Sequence, residues 1–224
     1  MHHEAARIVL VTGASRGIGA EVAQQLAGPD THVIVNYREH GAQAHAIAET
    51  IRRSGGHAST LAADISDEAD AAAMIESVAA RFGRLDALIL NASAGLETDV
   101  TPGYAMRLNR DAQRHLARLT MPLMPVGGRI VYVTSNQAHF FPNKAVPKGY
   151  SAVAASKRAG ETALYAMRSA FRHAGVHLTV VSGDLIDGTI AAVNEFAGAI
   201  VSATNTPGPR SIAYVGGANY LAAA

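Results

Sequence analysis

The stretch Ile8-Val9-Leu10-Val11-Thr12-Gly13-Ala14-Ser15-Arg16-Gly17-Ile18-Gly19 decides the fold. Its apolar, β-branched first half predicts a buried strand, and its glycine-rich second half predicts a tight turn that opens a helix. Glycines let the backbone approach a diphosphate closely, and the N-terminus of the helix attracts that anion. The stretch therefore predicts a dinucleotide-binding loop. Because its spacing is G-x-x-x-G-x-G rather than G-x-G-x-x-G, a purely structural turn is the alternative.

The same alternation of strand and helix continues along the chain. Short apolar runs predict strands at Ile8–Thr12, His32–Asn36, Ala58–Ala63, Ala87–Asn91, Arg129–Ser135, His177–Ser182 and Ile212–Val215. Longer Ala-rich stretches predict helices near 17–27, 41–53, 67–82, 102–121, 151–174 and 192–203, with Asp67 as an N-cap. Such β–α–β units imply an α/β fold, a three-layer, doubly wound, Rossmann-type parallel sheet of about seven strands. Because the sequence contains no linker or internal repeat, residues 1–224 are expected to form a single domain.

Composition narrows the classes of partner and of chemistry. Hydrophobic residues make up 49% of the chain and charged residues 17%, which suits a sheet buried on both faces. The net charge of +1 gives no reason to expect nucleic acid or an acidic membrane as partner. The chain has no cysteine, and no pair of histidines has convincing metal-ligand spacing, so we expect no metal. Without a signal-peptide pattern or a long apolar run, a cytoplasmic protein is expected.

The second predicted strand indicates which cofactor is bound. An acidic residue at its end would bond a free ribose 2′-hydroxyl, whereas a basic neighbour accommodates a 2′-phosphate. The strand ends at Asn36, and Arg38 follows two residues later. Together with Arg16 of the loop, Arg38 could hold a phosphate bidentately. This favours NADP(H) over NAD(H); two solvated surface arginines are the alternative.

At this point the sequence resembles the short-chain dehydrogenase/reductase family. Thr12–Gly19 is similar to its cofactor loop, Asp64-Ile65 to its adenine-contacting pair, and Asn91-Ala92-Ser93-Ala94-Gly95 to a lengthened form of its turn after the fourth strand. The resemblance implies cofactor contacts from Gly13, Ser15, Arg16, Gly17, Ile18, Gly19, Arg38, Asp64, Ile65, Asn91, Ala92, Lys157, Gly183 and Thr189.

The resemblance also implies a reaction, the transfer of a hydride between NADP(H) and a carbonyl or hydroxyl substrate. Ser135 resembles the family's catalytic Ser, which orients the substrate, and Asn109 its helical Asn, which holds a proton-relay water. Lys157 resembles its catalytic Lys, which binds the nicotinamide ribose and lowers the pKa of a proton-donating Tyr. Helices equivalent to 102–121 and 151–174 build a dimer face in the family, which implies a homodimer or homotetramer.

One departure from the family pattern concerns the proton donor. The family places its Tyr four residues before the Lys, and that position here is Val153. The nearest Tyr is Tyr150, which on a regular helix would lie about 10 Å along the axis from Lys157 and point away from it. Tyr150 can therefore replace the missing residue only if it stands outside regular helix. Nearby Pro147, Gly149 and a potential cap, Ser151, favour this; His139 as the acid, or no standard donor, are the alternatives.

Other departures leave the function open. The segment Asn136–Gly149 is long for the family, and Ser182-Gly183 stands where the family has Pro-Gly. After Thr189 the lid is short or incomplete, because Ile190–Asn194 leads almost directly into the next helix. A short lid would leave the site open to water or to a bulky, carrier-bound carbonyl substrate as well as to a small molecule. A catalytically impaired nucleotide-binding sensor or scaffold, and a cofactor-bound non-redox enzyme such as a dehydratase, are the alternative functions.

Overall fold

The computed structural model describes residues 7–93, 101–184 and 189–216. Its first half consists of β1 (Arg7–Val11), α1 (Gly17–Leu26), β2 (Thr31–Tyr37), α2 (Gly41–Arg53), β3 (His57–Ala62), α3 (Glu68–Phe82) and β4 (Ala87–Leu90). The predicted positions of these elements are confirmed to within one residue at each end. The predicted cap is confirmed too, because the Asp67 carboxylate accepts hydrogen bonds from the backbone N–H groups of Ala69 and Asp70 at 2.9 and 3.0 Å.

The second half contains short helices that the sequence did not predict. It consists of α4 (Pro102–Met106), a π-helical segment (Arg107–Ala112), α5 (Gln113–Thr120), a 3₁₀ turn (Met121–Leu123), β5 (Arg129–Ser135), α6 (Asn136–His139), α7 (Ser151–Ala166), α8 (Arg168–Ala174), β6 (His177–Gly183), α9 (Ile190–Asn205) and β7 (Ile212–Val215). The prediction of one helix over 151–174 was wrong. The N–H of Met167 bonds to the carbonyl of Leu164 at 3.0 Å, and this tight turn separates α7 from α8.

The seven strands form one parallel sheet in the order β3-β2-β1-β4-β5-β6-β7. The order reverses between β1 and β4, and ligands of doubly wound sheets bind at this reversal, beyond the carboxyl ends of the strands. The predicted Rossmann-type fold is confirmed, and the loop Thr12–Gly19 lies at this point.

Helices cover both faces of the sheet. Leu10 of β1 faces a buried cluster that includes Met74 of α3 and Leu116 of α5. Its neighbour Val9 faces the opposite cluster, which includes Val22 of α1 and residues of α2 and α9. Successive strand residues point to opposite faces, so a continuous apolar run packs against both layers. Within the described ranges, no helix has the length and apolar character needed to cross a membrane.

Candidate active site

Hydrogen bonds to the amide side chains of Asn36 and Asn91 hold the loop after β1 in place. The Gly13 N–H donates to Asn36 Oδ1 at 3.3 Å, and Asn36 Nδ2 donates to the carbonyls of Leu61 and Ala63, both at 3.2 Å. Asn36 is 2% exposed. Asn36, next to last in β2, therefore joins the loop to the end of β3, a role that the sequence did not predict.

A second amide holds the other side of the loop. Asn91 Nδ2 donates to the carbonyls of Thr12 and Gly13 at 2.9 and 3.1 Å. A Cβ at Gly19 would stand 2.5 Å from Asn91 Nδ2, so only glycine lets α1 begin this close to β4. Gly17, at φ +57°, has open space where a side chain would lie. The loop thus presents bare backbone at the start of α1, the arrangement that binds phosphate groups.

A cavity of about 570 Å³ lies against this loop. It is lined by these predicted cofactor residues: Gly13, Ser15, Arg16, Gly17, Ile18, Gly19, Arg38, Asp64, Ile65, Asn91 and Ala92. The remaining lining residues were not predicted as cofactor contacts: Asn36, Tyr37, Glu39, His40, Ala63, Ser93, Tyr104 and Leu108. Those beside Arg38 could have been found from their position after β2. Tyr104 and Leu108 come from the opposite wall, where no motif marks them.

The guanidinium of Arg38 has several partners at one end of this cavity. It lies 2.5 Å from a Glu39 carboxylate oxygen and 3.8 Å from Asp64 Oδ2, and it donates a hydrogen bond to the Tyr104 hydroxyl. Burial lowers the pKa of Arg38, but Tyr104, Glu39 and Asp64 together raise it above its ordinary value. Arg38 is thus a cavity residue that is 42% exposed and contacts Tyr104, Glu39 and Asp64.

A second group of predicted residues meets at the carboxyl end of β5. The hydroxyl of Tyr150 lies 3.0 Å from Ser135 Oγ. Tyr150 stands immediately before α7, in a turn closed by its N–H on the Pro147 carbonyl at 3.0 Å and preceded by Gly149 at φ +83°. The expectation that Tyr150 lies outside regular helix is confirmed. Ser151 is the first residue of α7, so the expectation that it caps the helix was wrong.

The surroundings of Tyr150 keep its phenol neutral. Tyr150 is 3% exposed and packs in an apolar cluster with Ala138, Val153 and Ala154. Burial raises the pKa of Tyr150, and the hydrogen bond with Ser135 offsets only part of this rise. Val153, at the family's Tyr position, fills this cluster, and within the described ranges no hydrogen bond joins Tyr150 to Lys157. Tyr150 therefore pairs with the serine but not with the lysine.

The π-helical segment that bears Asn109 packs against α7, the helix that bears Lys157. Asn109 Nδ2 donates to the hydroxyl of Ser156, the neighbour of Lys157, at 2.9 Å. The hydroxyl of Tyr132 donates to the Lys157 carbonyl at 2.9 Å and lies 3.4 Å from the Asn109 carbonyl. Desolvation lowers the pKa of Lys157 to about 8. Tyr132 is a positioning residue that no sequence signal revealed.

Gly160 allows the close crossing of these two helices. A Cβ at Gly160 would stand 1.9 Å from the carbonyl oxygen of Asn109 and 2.8 Å from the Tyr132 hydroxyl. The wider π-helical turn brings that carbonyl toward α7, and such turns are frequent at functional sites. Glycine at this position is thus a requirement of the packing between α7 and the helix that bears Asn109.

His139, the alternative acid, belongs to a separate, partly buried network. Its Nδ1 lies 2.9 Å from Glu161 Oε2, and its Nε2 lies 3.0 Å from the Tyr214 hydroxyl. Glu161 is fully buried, and its other oxygen lies 2.9 Å from Arg158 Nη1. Burial raises the pKa of Glu161, but hydrogen bonds from His139 and Tyr165, together with the charges of His139 and Arg158, outweigh this effect and lower it. The network fastens α6 to α7 and β7, and it gives no support to His139 as the proton donor.

Three predicted cofactor residues do not line the cavity: Lys157, Gly183 and Thr189. Gly183 packs under Phe196, whose ring lies 3.0 Å from the place of a Cβ, and Thr189 caps α9 through the N–H of Ala192 at 3.4 Å. Ala94, Gly95 and the segment 185–188 lie outside the described residues. Across the ranges that are described, no group of three His, Cys, Asp or Glu side chains could hold a metal ion.

Comparison with known proteins identifies the family. The family described as short chain dehydrogenase matches residues 7–197. The chain belongs to this family. It is 36% identical over 150 residues to versicolorin reductase 1 of Dothistroma septosporum, covering 63% of this chain and 55% of that protein. It is 35% identical over 162 residues to a probable tetrahydroxynaphthalene reductase of Zymoseptoria tritici, covering 70% and 59%.

Solved structures share the fold along most of its length. A short chain dehydrogenase from Burkholderia cenocepacia, in complex with NADP, superposes with a TM-score of 0.81 at 25% identity and covers 96% of this chain and 98% of that one. The aligned part of this short-chain dehydrogenase covers little more than half the length of each of the two reductases named above.

Proposed function

We propose that this short-chain dehydrogenase reduces a carbonyl substrate with NADPH, an oxidoreductase that transfers a hydride between NADP(H) and a carbonyl or hydroxyl group. The observation that carries the proposal is the buried Tyr150 hydroxyl, 3.0 Å from Ser135 Oγ at the carboxyl end of β5. The NADP bound to the Burkholderia relative supports the choice of cofactor, as do Arg16 and Arg38 on the cavity wall.

The loop after β1 fits a dinucleotide. At Gly17 the space that a side chain would fill is open, and at Gly19 a Cβ would collide with Asn91, so the backbone itself forms the wall. The N–H groups that start α1 suit a diphosphate, and the cavity continues past Asp64 and Arg38 as an adenosine site would. When bound, the nicotinamide supplies the hydride, and the protein must supply the proton and the orientation.

Tyr150 is the proposed proton donor. Because burial raises its pKa, the phenol is protonated at neutral pH and can donate to a carbonyl oxygen within reach of Ser135. Ser135 Oγ accepts a hydrogen bond from the Ala138 N–H at 3.2 Å, which leaves the serine proton for Tyr150 or the substrate oxygen. The neutral phenol carries the proton that carbonyl reduction requires.

Lys157 and Asn109 have supporting roles in the proposal. With a pKa of about 8, the Lys157 ammonium is mostly charged at neutral pH and can hold the nicotinamide ribose. Asn109, fixed on Ser156 beside it, remains the proposed holder of a relay water. Gly183 and Thr189 follow β6 and remain proposed cofactor contacts.

The relatives' names indicate which substrates to test first. Versicolorin and tetrahydroxynaphthalene reductases are named for polycyclic aromatic substrates, so bicyclic aromatic ketones are proposed alongside a carrier-bound carbonyl. These names give no support to a sensor, a scaffold or a dehydratase. A cytoplasmic location and a homodimer or homotetramer remain predictions.

The test is NADPH oxidation in the presence of a bicyclic aromatic ketone or a β-keto thioester. We expect Tyr150→Phe to lower kcat by about 10²–10⁴-fold, the usual share of general acid catalysis, with NADPH binding unchanged. The control is Tyr165→Phe, a phenol ~22 Å further along the axis of α7, which should keep full activity. Full activity in Tyr150→Phe would remove Tyr150 from the mechanism.

A further inference from the structure

Arg38 and Tyr104 face each other across one end of the cavity. Arg38 follows β2, whereas Tyr104 comes from α4 on the opposite wall, and both line the cavity. The Arg38 Nη1 donates to the Tyr104 hydroxyl, and the guanidinium carbon lies 5.6 Å from the centre of the Tyr104 ring. Arg107 lies 5.7 Å from the same ring. The tyrosine thus contacts Arg38 through both its hydroxyl and its ring.

The two ends of the Arg38 fork have different partners. Nη1 is held by Tyr104 and lies 3.8 Å from Asp64, whose other oxygen accepts from the Ser66 N–H at 2.8 Å. Nη2 contacts the carboxylate of Glu39, a side chain that is 64% exposed. An exposed ion pair contributes little free energy, so an incoming anion can displace Glu39 at small cost. When the anion replaces Glu39, Nη1 still contacts Tyr104 and Asp64, so the plane of the Arg38 guanidinium stays fixed.

We propose that Tyr104 is a specificity-determining residue, which holds Arg38 in the orientation that binds the 2′-phosphate of NADP(H) and so sets the preference over NAD(H). The inference rests on the proposed function. Bidentate recognition of a phosphate depends on the plane of the guanidinium, and a side chain that is already ordered loses less entropy on binding. Binding of a free 2′-hydroxyl does not depend on the plane of the guanidinium. Loss of Tyr104 therefore lowers the affinity for NADP(H) more than the affinity for NAD(H).

Calorimetric titration with NADP⁺ and NAD⁺ tests the proposal without any substrate. We expect Tyr104→Leu to weaken NADP⁺ binding about tenfold, the equivalent of one hydrogen bond to a charged group, and NAD⁺ binding less than about twofold. Tyr104→Phe keeps the aromatic ring, so its affinity for NADP⁺ should fall only about threefold. In an Arg38→Leu background, Tyr104→Leu should leave the ratio of the two affinities unchanged, since the residue acts through Arg38.

Tyr165→Phe is the matched control, because it removes a phenol hydroxyl that does not line the cavity. Its ratio of NADP⁺ to NAD⁺ affinity should equal that of the wild type. The proposal is overturned if Tyr104→Leu melts as the wild type does and leaves the ratio of NADP⁺ to NAD⁺ affinity unchanged. Absence of binding of either dinucleotide to the wild type would instead refute the proposed function itself.

Discussion

Replacing Gly160 by alanine tests the crossing of α7 over the helix that bears Asn109. The added Cβ would lie 1.9 Å from the Asn109 carbonyl oxygen, whereas a carbon normally stays about 3.3 Å or more from such an oxygen, so α7 must retreat by about 1.4 Å. Overpacking of this kind costs about 1–3 kcal/mol of the free energy of unfolding. At about 2–4 °C per kcal/mol for a chain of this size, we expect Tm to fall by about 2–12 °C.

The same retreat moves Lys157 away from Asn109. Misplacement of catalytic groups by about 1 Å can cost about 10²-fold in rate, so kcat should fall by more than the loss of folded protein explains. The matched control is Gly198→Ala in α9, which like α7 has 16 residues; its added Cβ would meet only Gln25 Oε1, at 4.0 Å. This control should gain about 0.5–1 kcal/mol from the helix preference of alanine. A Gly160→Ala protein as stable and active as the control would show that the crossing of α7 does not require glycine here.

Two further predictions concern pH. Lys157 has a pKa of about 8 in the fold, so only about one molecule in ten keeps this charge at pH 9, and NADPH affinity should weaken between pH 7 and 9 in calorimetric titrations. Lys157→Arg should abolish that dependence, and an equal slope in both proteins would contradict the proposed role. The native pKa of Glu161 lies below its ordinary 4.5, so its stabilisation is complete above that pH and is lost as pH falls through the native value. Glu161→Gln should therefore show a flatter fall in urea-unfolding free energy below pH 4.5 than wild type, whereas an unchanged slope would contradict it.

The fold could be predicted because its signals are local. Fully buried parallel strands are continuous apolar runs, and glycines or caps such as Asp67 mark where helices begin and end. Interruptions inside helices carry no such signal. The break at Met167 involves neither proline nor glycine, and the π-helical segment Arg107–Ala112 contains neither residue as well.

The site was predictable where one segment forms it and unpredictable where two segments meet. The loop Thr12–Gly19 lines the cavity as expected, since turn, backbone and helix are continuous in the chain. Tyr104 reaches Arg38 from a helix more than sixty residues later, and His139 meets Glu161 across α6 and α7. Sequence patterns do not record such tertiary contacts, and the pairing of Tyr150 with Ser135 likewise became visible only in the fold.

Calorimetric titration of the wild-type chain with NADPH measures whether the loop after β1 binds a nicotinamide dinucleotide. We expect saturable heat with one site per chain, and tighter binding of NADPH than of NADH. No heat with either dinucleotide at millimolar concentration would contradict this expectation.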